Sequence, residues 1–203
     1  MKLIKVCGMR EAVNIHEVEQ SGADWMGFIF YPKSPRFVSE IPAYLPQKAK
    51  RVGIFVNEPK EIIIETASLF GLEFVQLHGN ESPGFCNEMD RSRLKIIKSF
   101  RVGDKFPNEE VEPYHGKCDY FLFDAKTSLY GGSGKKFNWN VLSDYRGETP
   151  FLLSGGIAPG DAEALKYFSH PKCIGIDINS RFEIAPAQKD VEKVEQFISM
   201  LKS

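Results

Sequence analysis

Short, continuous runs of apolar residues recur along the whole chain and predict eight β-strands. The runs are rich in β-branched and aromatic side chains and do not alternate with polar residues. This pattern is typical of strands that are covered on both faces, as in parallel sheets. The predicted strands are residues 3–7, 26–30, 51–56, 74–77, 94–99, 120–123, 151–154 and 173–178.

Segments of helical composition separate these runs. Apolar residues at helical spacing predict helices over 11–20, 59–70, 160–168 and 190–201. Eight strands that alternate with helices, at about one unit every 25 residues, predict a single-domain (β/α)8 TIM barrel over residues 1–203. An open doubly wound sheet is the alternative, but it usually needs only five or six strands.

The chain is short for a TIM barrel, which typically has roughly 250 residues. We therefore expect short loops and at least one reduced helix. The weakest unit is 101–117, which contains Pro107 and Pro113 and has little helical periodicity.

Composition and charge limit the classes of partner. The chain has 203 residues, a formal net charge of −1 and no acidic or basic tail, which argues against nucleic acid or an anionic membrane as a partner. No apolar run approaches the roughly 18 residues of a spanning helix, and the N-terminus lacks a signal-peptide core, so we expect a cytoplasmic protein. The four cysteines have no metal-ligand or disulfide spacing, so we expect no metal site. A monomer is the simplest expectation for a chain of this size.

Asp124 is the first candidate for chemistry. In a barrel the active site lies at the carboxyl ends of the strands, and Asp124 directly follows the aromatic run 120–123. The apolar residues before it would desolvate the carboxyl group and leave a proton on it to donate. An aspartate that caps the following helix or turn is the alternative. A loop with three glycines follows, and we expect segment 130–135 to close over a ligand.

Cys7 is the second candidate. Side chains alternate along a strand, so Lys5 and Cys7 share a face. If that face is the barrel interior, the ammonium group lowers the pKa of the thiol and raises the thiolate fraction. A buried cysteine that only fills space is the alternative.

Arg36 and His78 are candidates for ligand contacts. Pro32 and Pro35 stiffen the loop that carries Arg36, which suits a bidentate grip on a carboxylate or phosphate, although a solvated loop arginine is also possible. His78 ends the fourth predicted strand, where it suits polar contact or acid–base chemistry. A histidine hydrogen-bonded to a neighbouring loop is the alternative.

The ends of strands seven and eight predict a phosphate site. Paired glycines, Gly155 and Gly156, end strand seven, and Asn179, Ser180 and Arg181 follow strand eight. Barrels frequently bind phosphate between these two loops, so we expect a phosphorylated small-molecule substrate. A tight turn is the alternative explanation of the paired glycines.

Taken together, these motifs resemble the phosphoribosylanthranilate isomerase family, and the resemblance spans nearly the whole chain. The motifs that carry it include Lys5-Val6-Cys7-Gly8-Met9-Arg10, Ser34-Pro35-Arg36, Val75-Gln76-Leu77-His78-Gly79, Phe137-Asn138-Trp139, Ser154-Gly155-Gly156-Ile157 and Gly175-Ile176-Asp177.

The resemblance implies a cofactor-free Amadori rearrangement in L-tryptophan biosynthesis. N-(5-phospho-β-D-ribosyl)anthranilate would become 1-(2-carboxyphenylamino)-1-deoxy-D-ribulose 5-phosphate. Asp124 would be the general acid that protonates the ribose ring oxygen, and Cys7 the general base that removes the C2′ proton. The substrate-binding residues it implies are Arg36, near the anthranilate carboxylate, with His78, Gly155, Gly156, Asp177, Asn179 and Ser180.

The chain departs from the family pattern in three places. It has Arg181 where a glycine is more frequent, Pro186-Ala187 in place of Pro-Gly, and Asn138 in place of an aspartate. We interpret Asn138 as a change of helix cap, because Asn and Asp cap about equally well. Arg181 either contacts the phosphate or lies outward over the helix.

Two other functions are weighed against this one. A sugar-phosphate isomerase of the histidine pathway resembles the same barrel but has an aspartate where this chain has Cys7. A phosphate-binding barrel without catalysis would need neither Cys7 nor Asp124. The sequence therefore favours the isomerase of tryptophan biosynthesis.

Overall fold

Eight parallel strands form a closed barrel in the computed structural model, which describes residues 3–89, 93–126 and 136–203. Each strand pairs with the next along the chain, and the last pairs with the first, which confirms the predicted TIM barrel. Each strand overlaps its predicted run. The strands are β1 (Leu3–Cys7), β2 (Trp25–Ile29), β3 (Lys50–Phe55), β4 (Phe74–Leu77), β5 (Lys95–Val102), β6 (Tyr120–Ala125), β7 (Phe151–Leu153) and β8 (Cys173–Ile178).

Apolar side chains cover both faces of the sheet, which explains the continuous hydrophobic runs. One buried cluster fills the barrel interior and includes Trp25, Phe74 and Leu122. A larger one lies between the strands and the outer helices and includes Phe28 and Phe121. Residues of one strand, such as Phe121 and Leu122, therefore belong to different layers.

The four predicted helices are present, with ends that differ by one or two residues. The helices are α1 (Ala12–Gln20), α2 (Lys60–Phe70), α3 (Pro83–Glu88), α4 (Asn108–Val111), α5 (Ala162–Tyr167) and α6 (Val191–Lys202). After the end of β5 at Val102, segment 101–117 contains only the single turn α4 and a 3-10 turn, as its poor periodicity predicts. Asn138 caps the 3-10 helix Trp139–Asp144, since its Oδ1 accepts a hydrogen bond from the Asn140 N–H. Among the described helices, none has the length and apolar character required to cross a membrane.

A loop replaces the helix between β2 and β3, and Glu19 of α1 holds it. The described residues 30–49 contain no helix. The buried Glu19 carboxylate accepts hydrogen bonds from the backbone N–H groups of Gln47, Lys48 and Ala49 at 2.6–2.9 Å and from the Tyr44 hydroxyl. One side chain thus satisfies the backbone donors that a helix would otherwise have paired.

We expect the Glu19→Gln variant to lose about 2 kcal/mol of unfolding free energy at pH 7, because a neutral amide accepts these hydrogen bonds more weakly. Burial opposes the charge of Glu19, but the four hydrogen bonds outweigh it and hold the carboxyl pKa below its usual range. The contribution is therefore present above the unfolded pKa, near 4.3, and is lost as the pH falls through the folded pKa. Urea denaturation at pH 7 and at pH 3 measures both effects.

The matched control is Glu17→Gln, which changes an exposed glutamate on the same helix. It should unfold with the wild-type midpoint at both pH values. Equal midpoints for the Glu19 and Glu17 variants at pH 7 would contradict the role given to Glu19.

A two-stranded hairpin follows β8, formed by β9 (Glu183–Ala185) and β10 (Gln188–Lys189). Ala187, in the turn between them, has φ +67°, in the left-handed region that favours glycine. This is the place where the resembled family more often has Pro-Gly, and this chain adopts the left-handed conformation with an alanine. The hairpin brings Glu183 and Lys189 back toward the carboxyl ends of the strands.

Candidate active site

A buried ion pair lies at the centre of the barrel interior. Lys5 is fully buried, and its Nζ lies 2.7 Å from Oδ1 of Asp177, which is 7% exposed. Burial lowers the Lys5 pKa, but the Asp177 carboxylate and, to a smaller extent, Cys7 together raise it by more, so the net shift is upward and the ammonium stays charged. Ser154 Oγ donates to Asp177 Oδ2 at 3.3 Å. Asp177, a predicted substrate contact, therefore has both oxygens bound to protein groups.

Asp124 is the fifth residue of β6 and lies at the carboxyl end of the strand, as predicted. Its Oδ1 accepts a hydrogen bond from the Ala125 N–H at 2.9 Å. Burial, with a smaller contribution from the Asp177 carboxylate, raises the pKa of Asp124 to about 6, although the Ala125 N–H and Lys5 act the other way. The predicted desolvation is confirmed, and at pH 7 roughly a tenth of the Asp124 carboxyl groups carry a proton, far more than at an ordinary aspartate.

His78, the residue that follows β4, faces the Asp124 carboxyl group. Its Nε2 lies 3.7 Å from Asp124 Oδ2, and its Nδ1 lies 2.9 Å from Nε2 of Gln76, two residues earlier in β4. Burial, together with the nearby charges of Lys98 and Lys5, lowers the pKa of His78 to about 3. The imidazole is therefore neutral, and its contact with Asp124 is that of a neutral polar group. The contact of His78 with Gln76 is made to the strand that immediately precedes it, not to a neighbouring loop.

Cys7 points into the barrel interior with Lys5, which confirms the predicted shared face. The predicted lowering of its pKa is wrong. Burial raises the thiol pKa, and the opposing effect of Lys5 is smaller because Asp177, which neutralises Lys5, also acts on the thiol. Cys7 is only 5% exposed, so the free protein holds it mainly as a thiol.

Arg36 is buried, and the alternative of a solvated loop arginine is wrong. The predicted bidentate grip is present, but on a carboxylate of the protein itself. Arg36 Nε and Nη2 donate to the two oxygens of Glu183 at 2.8 and 2.6 Å. Gly8 allows this packing, because a Cβ at Gly8 would lie 2.7 Å from both Arg36 Cδ and Asn179 Oδ1.

The residues predicted to bind phosphate follow β7 and β8, as expected. Gly155 and Gly156 have φ +91° and +66°, and a Cβ on Gly155 would lie 2.5 Å from the Ala125 nitrogen. The turn therefore requires glycine, and it packs against the strand that carries the acid. Asn179 Oδ1 accepts from Lys189 Nζ at 2.7 Å. Ser180 begins a 3-10 turn, and Arg181 is exposed.

Sequence reasoning missed four polar residues next to these groups: Gln76, Lys98, Glu183 and Lys189. Lys98 and Lys189 are almost fully buried, and each binds a glutamate, at 3.1 and 2.6 Å. Nothing in the local sequence separates them from surface lysines. No group of three metal-binding side chains is present in the described ranges. The predicted closing segment 130–135 lies outside the described residues.

Comparisons with known proteins agree with this geometry. Residues 4–200 match the family model for N-(5'phosphoribosyl)anthranilate (PRA) isomerase. The chain is similar to N-(5'-phosphoribosyl)anthranilate isomerase of Phocaeicola vulgatus, with 54% identity over 98% of each chain. It also resembles the crystal structure of phosphoribosyl anthranilate isomerase from Thermus thermophilus, with a TM-score of 0.83, 26% identity and 98% of each chain covered.

A third similar protein is a phosphoribosyl anthranilate isomerase crystallised with reduced 1-(o-carboxyphenylamino)-1-deoxyribulose 5-phosphate. It has a TM-score of 0.79 and 30% identity, and the match covers 100% of this chain and 99% of that one.

Proposed function

Since the chain belongs to the N-(5'-phosphoribosyl)anthranilate isomerase family, we propose that it works by a cofactor-free Amadori rearrangement with Asp124 as general acid and Cys7 as general base. The family's activity is an isomerisation in tryptophan biosynthesis, and the chain is an isomerase of this kind. The proposal concerns the chemistry of that step and the residues that perform it.

The observation that carries the proposal is the pKa of about 6 at Asp124. A carboxyl group with this pKa holds a transferable proton near neutral pH, which is what a general acid requires. Protonation of the ribose ring oxygen lets the C1′–O bond break, and the anthranilate nitrogen supplies the electron pair that forms the Schiff base. The acid proton ends on the new C4′ hydroxyl, and Asp124 is left as a carboxylate.

The second step needs a base at C2′. Cys7 removes the C2′ proton as a thiolate, and the electron pair moves to form the enolamine, which tautomerises to the ketose. Both Asp124 and Cys7 are within electrostatic range of the Lys5–Asp177 pair. Because donor and acceptor come from different strands, they can reach different atoms of one sugar.

The substrate contacts belong to the same proposal. The similar isomerase that was crystallised with the reduced product carries a phosphate and a carboxylate on its ligand. In this chain we assign the phosphate to the loops of Gly155 and Gly156 and of Asn179 and Ser180, and the carboxylate to Arg36. A phosphate held at one edge of the barrel fixes the sugar over both catalytic groups and lowers the entropic cost of the reaction. His78 and Asp177 complete the proposed site.

The direct test is turnover of freshly prepared phosphoribosylanthranilate by the purified protein, followed by loss of anthranilate-type fluorescence. The ketose product should accumulate without added metal and in the presence of a chelator. A requirement for metal, or an aldose product, would contradict the proposed rearrangement.

We expect a bell-shaped dependence of kcat/KM on pH, with the acidic limb near 6 and the alkaline limb above the ordinary range of a thiol. The acid must be protonated, and Asp124 loses its proton above its pKa of about 6. The base must be a thiolate, and Cys7 becomes a neutral thiol below its raised pKa. The product of these two fractions is constant between the two pKa values and falls outside them. The active protonation state is then a minority at every pH, because the pKa of the acid lies below that of the base.

Iodoacetamide alkylation provides an independent check, since only the thiolate reacts. The rate of Cys7 alkylation at pH 7 should be low and should rise along the same alkaline titration. An optimum below pH 6, or fast alkylation at pH 6, would contradict the assignment of these two limbs.

A further inference from the structure

Three charged side chains form a buried cluster beside the strand end that carries Cys7. We call Arg36, Glu183 and Lys189 the charged cluster. Glu183 accepts from Arg36 Nε and Nη2 at 2.8 and 2.6 Å and from Lys189 Nζ at 2.6 Å. The three side chains are 10%, 5% and 0% exposed. Removing these charges from water costs free energy, and their mutual ion pairs and hydrogen bonds offset that cost.

Lys189 is fixed from both its side chain and its backbone. Its Nζ also donates to Asn179 Oδ1 at 2.7 Å. The Asn14 side chain on α1 binds the Lys189 backbone twice, since Nδ2 donates to the carbonyl oxygen at 2.9 Å and Oδ1 accepts from the N–H at 2.7 Å. The ammonium group therefore has one position in the folded protein.

The cluster also fixes which edge of Arg36 can meet a ligand. Glu183 occupies the Nε–Nη2 edge of the guanidinium, so the Nη1–Nη2 end is the edge with the geometry to bind a second carboxylate by two hydrogen bonds. The cluster sums to one net positive charge, because two cations flank one anion. Without Lys189, Glu183 would cancel the charge of Arg36.

We propose that Glu183 and Lys189 are positioning residues for recognition of the substrate's carboxylate. Glu183 fixes the guanidinium plane of Arg36, and Lys189 neutralises Glu183 so that Arg36 retains its charge for the ligand. The inference rests on the proposed role of Arg36 and adds to it the two residues that determine its orientation and charge.

Calorimetric titration tests this with two stable ligands. One is the reduced form of 1-(2-carboxyphenylamino)-1-deoxyribulose 5-phosphate, and the other is the same molecule without its carboxyl group. Binding needs no proton transfer, so the result is independent of the roles given to Asp124 and Cys7. The variants are Lys189→Met, Glu183→Gln and the double variant. Lys193→Met is the matched control, since Lys193 forms a similar 2.6 Å ion pair but is half exposed on α6.

We expect Lys189→Met to raise the Kd of the carboxylate ligand by about 10- to 100-fold, and that of the other ligand by less than about threefold. The titration counts only folded sites, so partial unfolding of a variant does not change the ratio of the two constants. Lys193→Met should bind both ligands as the wild type does.

The double variant distinguishes charge balance from packing. Removing both Glu183 and Lys189 charges restores a net charge of one, so the double variant should lose less affinity than the product of the two single losses. Equal losses for both ligands, or a double loss equal to that product, would overturn the proposal.

Discussion

The Asp124→Asn variant is expected to lose at least about 10³-fold in kcat, because an amide has no proton to give to the ribose ring oxygen. The substitution is nearly isosteric, and Asn Oδ1 can still accept the Ala125 N–H that Asp124 Oδ1 accepts now. Affinity for the reduced product should stay close to that of the wild type, since phosphate and carboxylate contacts are unchanged. Steady-state kinetics and titration with that ligand measure the two effects separately.

Asp119→Asn is the matched control, because Asp119 precedes β6 at the opposite end from Asp124, where it accepts a hydrogen bond from the Ile96 N–H. This variant should change stability and leave kcat within about twofold, as it is remote from the proposed chemistry. Residual activity of the Asp124 variant within about tenfold of the wild type would show that another group supplies the proton.

The Cys7→Ser variant is expected to lose about 10² to 10⁴ in kcat, the usual scale for removal of a general base. A serine hydroxyl ionises far less readily than a thiol, so the variant lacks an anion to accept the C2′ proton. The fold should persist, because serine is slightly smaller than cysteine and nothing else in the interior changes. Kinetics with a melting curve of each protein measures both.

Cys173→Ser is the control for this variant. Cys173 is the first residue of β8, at the amino end of the strand and away from the carboxyl ends that form the proposed site. Unchanged kinetics for Cys7→Ser would mean that the base lies elsewhere. His78 is then the nearest alternative by position, but its pKa of about 3 makes it a weak base.

The strands and the acid were predictable because the information for them is local. Residues 120–123 form part of β6, and the same apolar residues help to desolvate Asp124. The poor helix at 101–117 was also visible in the sequence, because Pro107 and Pro113 limit backbone hydrogen bonding there.

The partners of the charged residues were not predictable, because they come from distant parts of the chain. Lys5 and Asp177 are 172 residues apart, and Arg36 and Glu183 are 147 residues apart. Arg36 shows the consequence: its stiff loop and its bidentate geometry follow from the sequence, but the Glu183 carboxylate that it binds does not.

The sequence by itself therefore determined the barrel, the strand ends and the residues at those ends, because strands and turns depend on residues that are close together in the chain. Only the tertiary structure decided the protonation of Cys7 and the orientation of Arg36. The local argument from Lys5 gives the wrong direction for the thiol pKa. A pKa depends on burial and on every nearby charge, and closure of the barrel sets both at once.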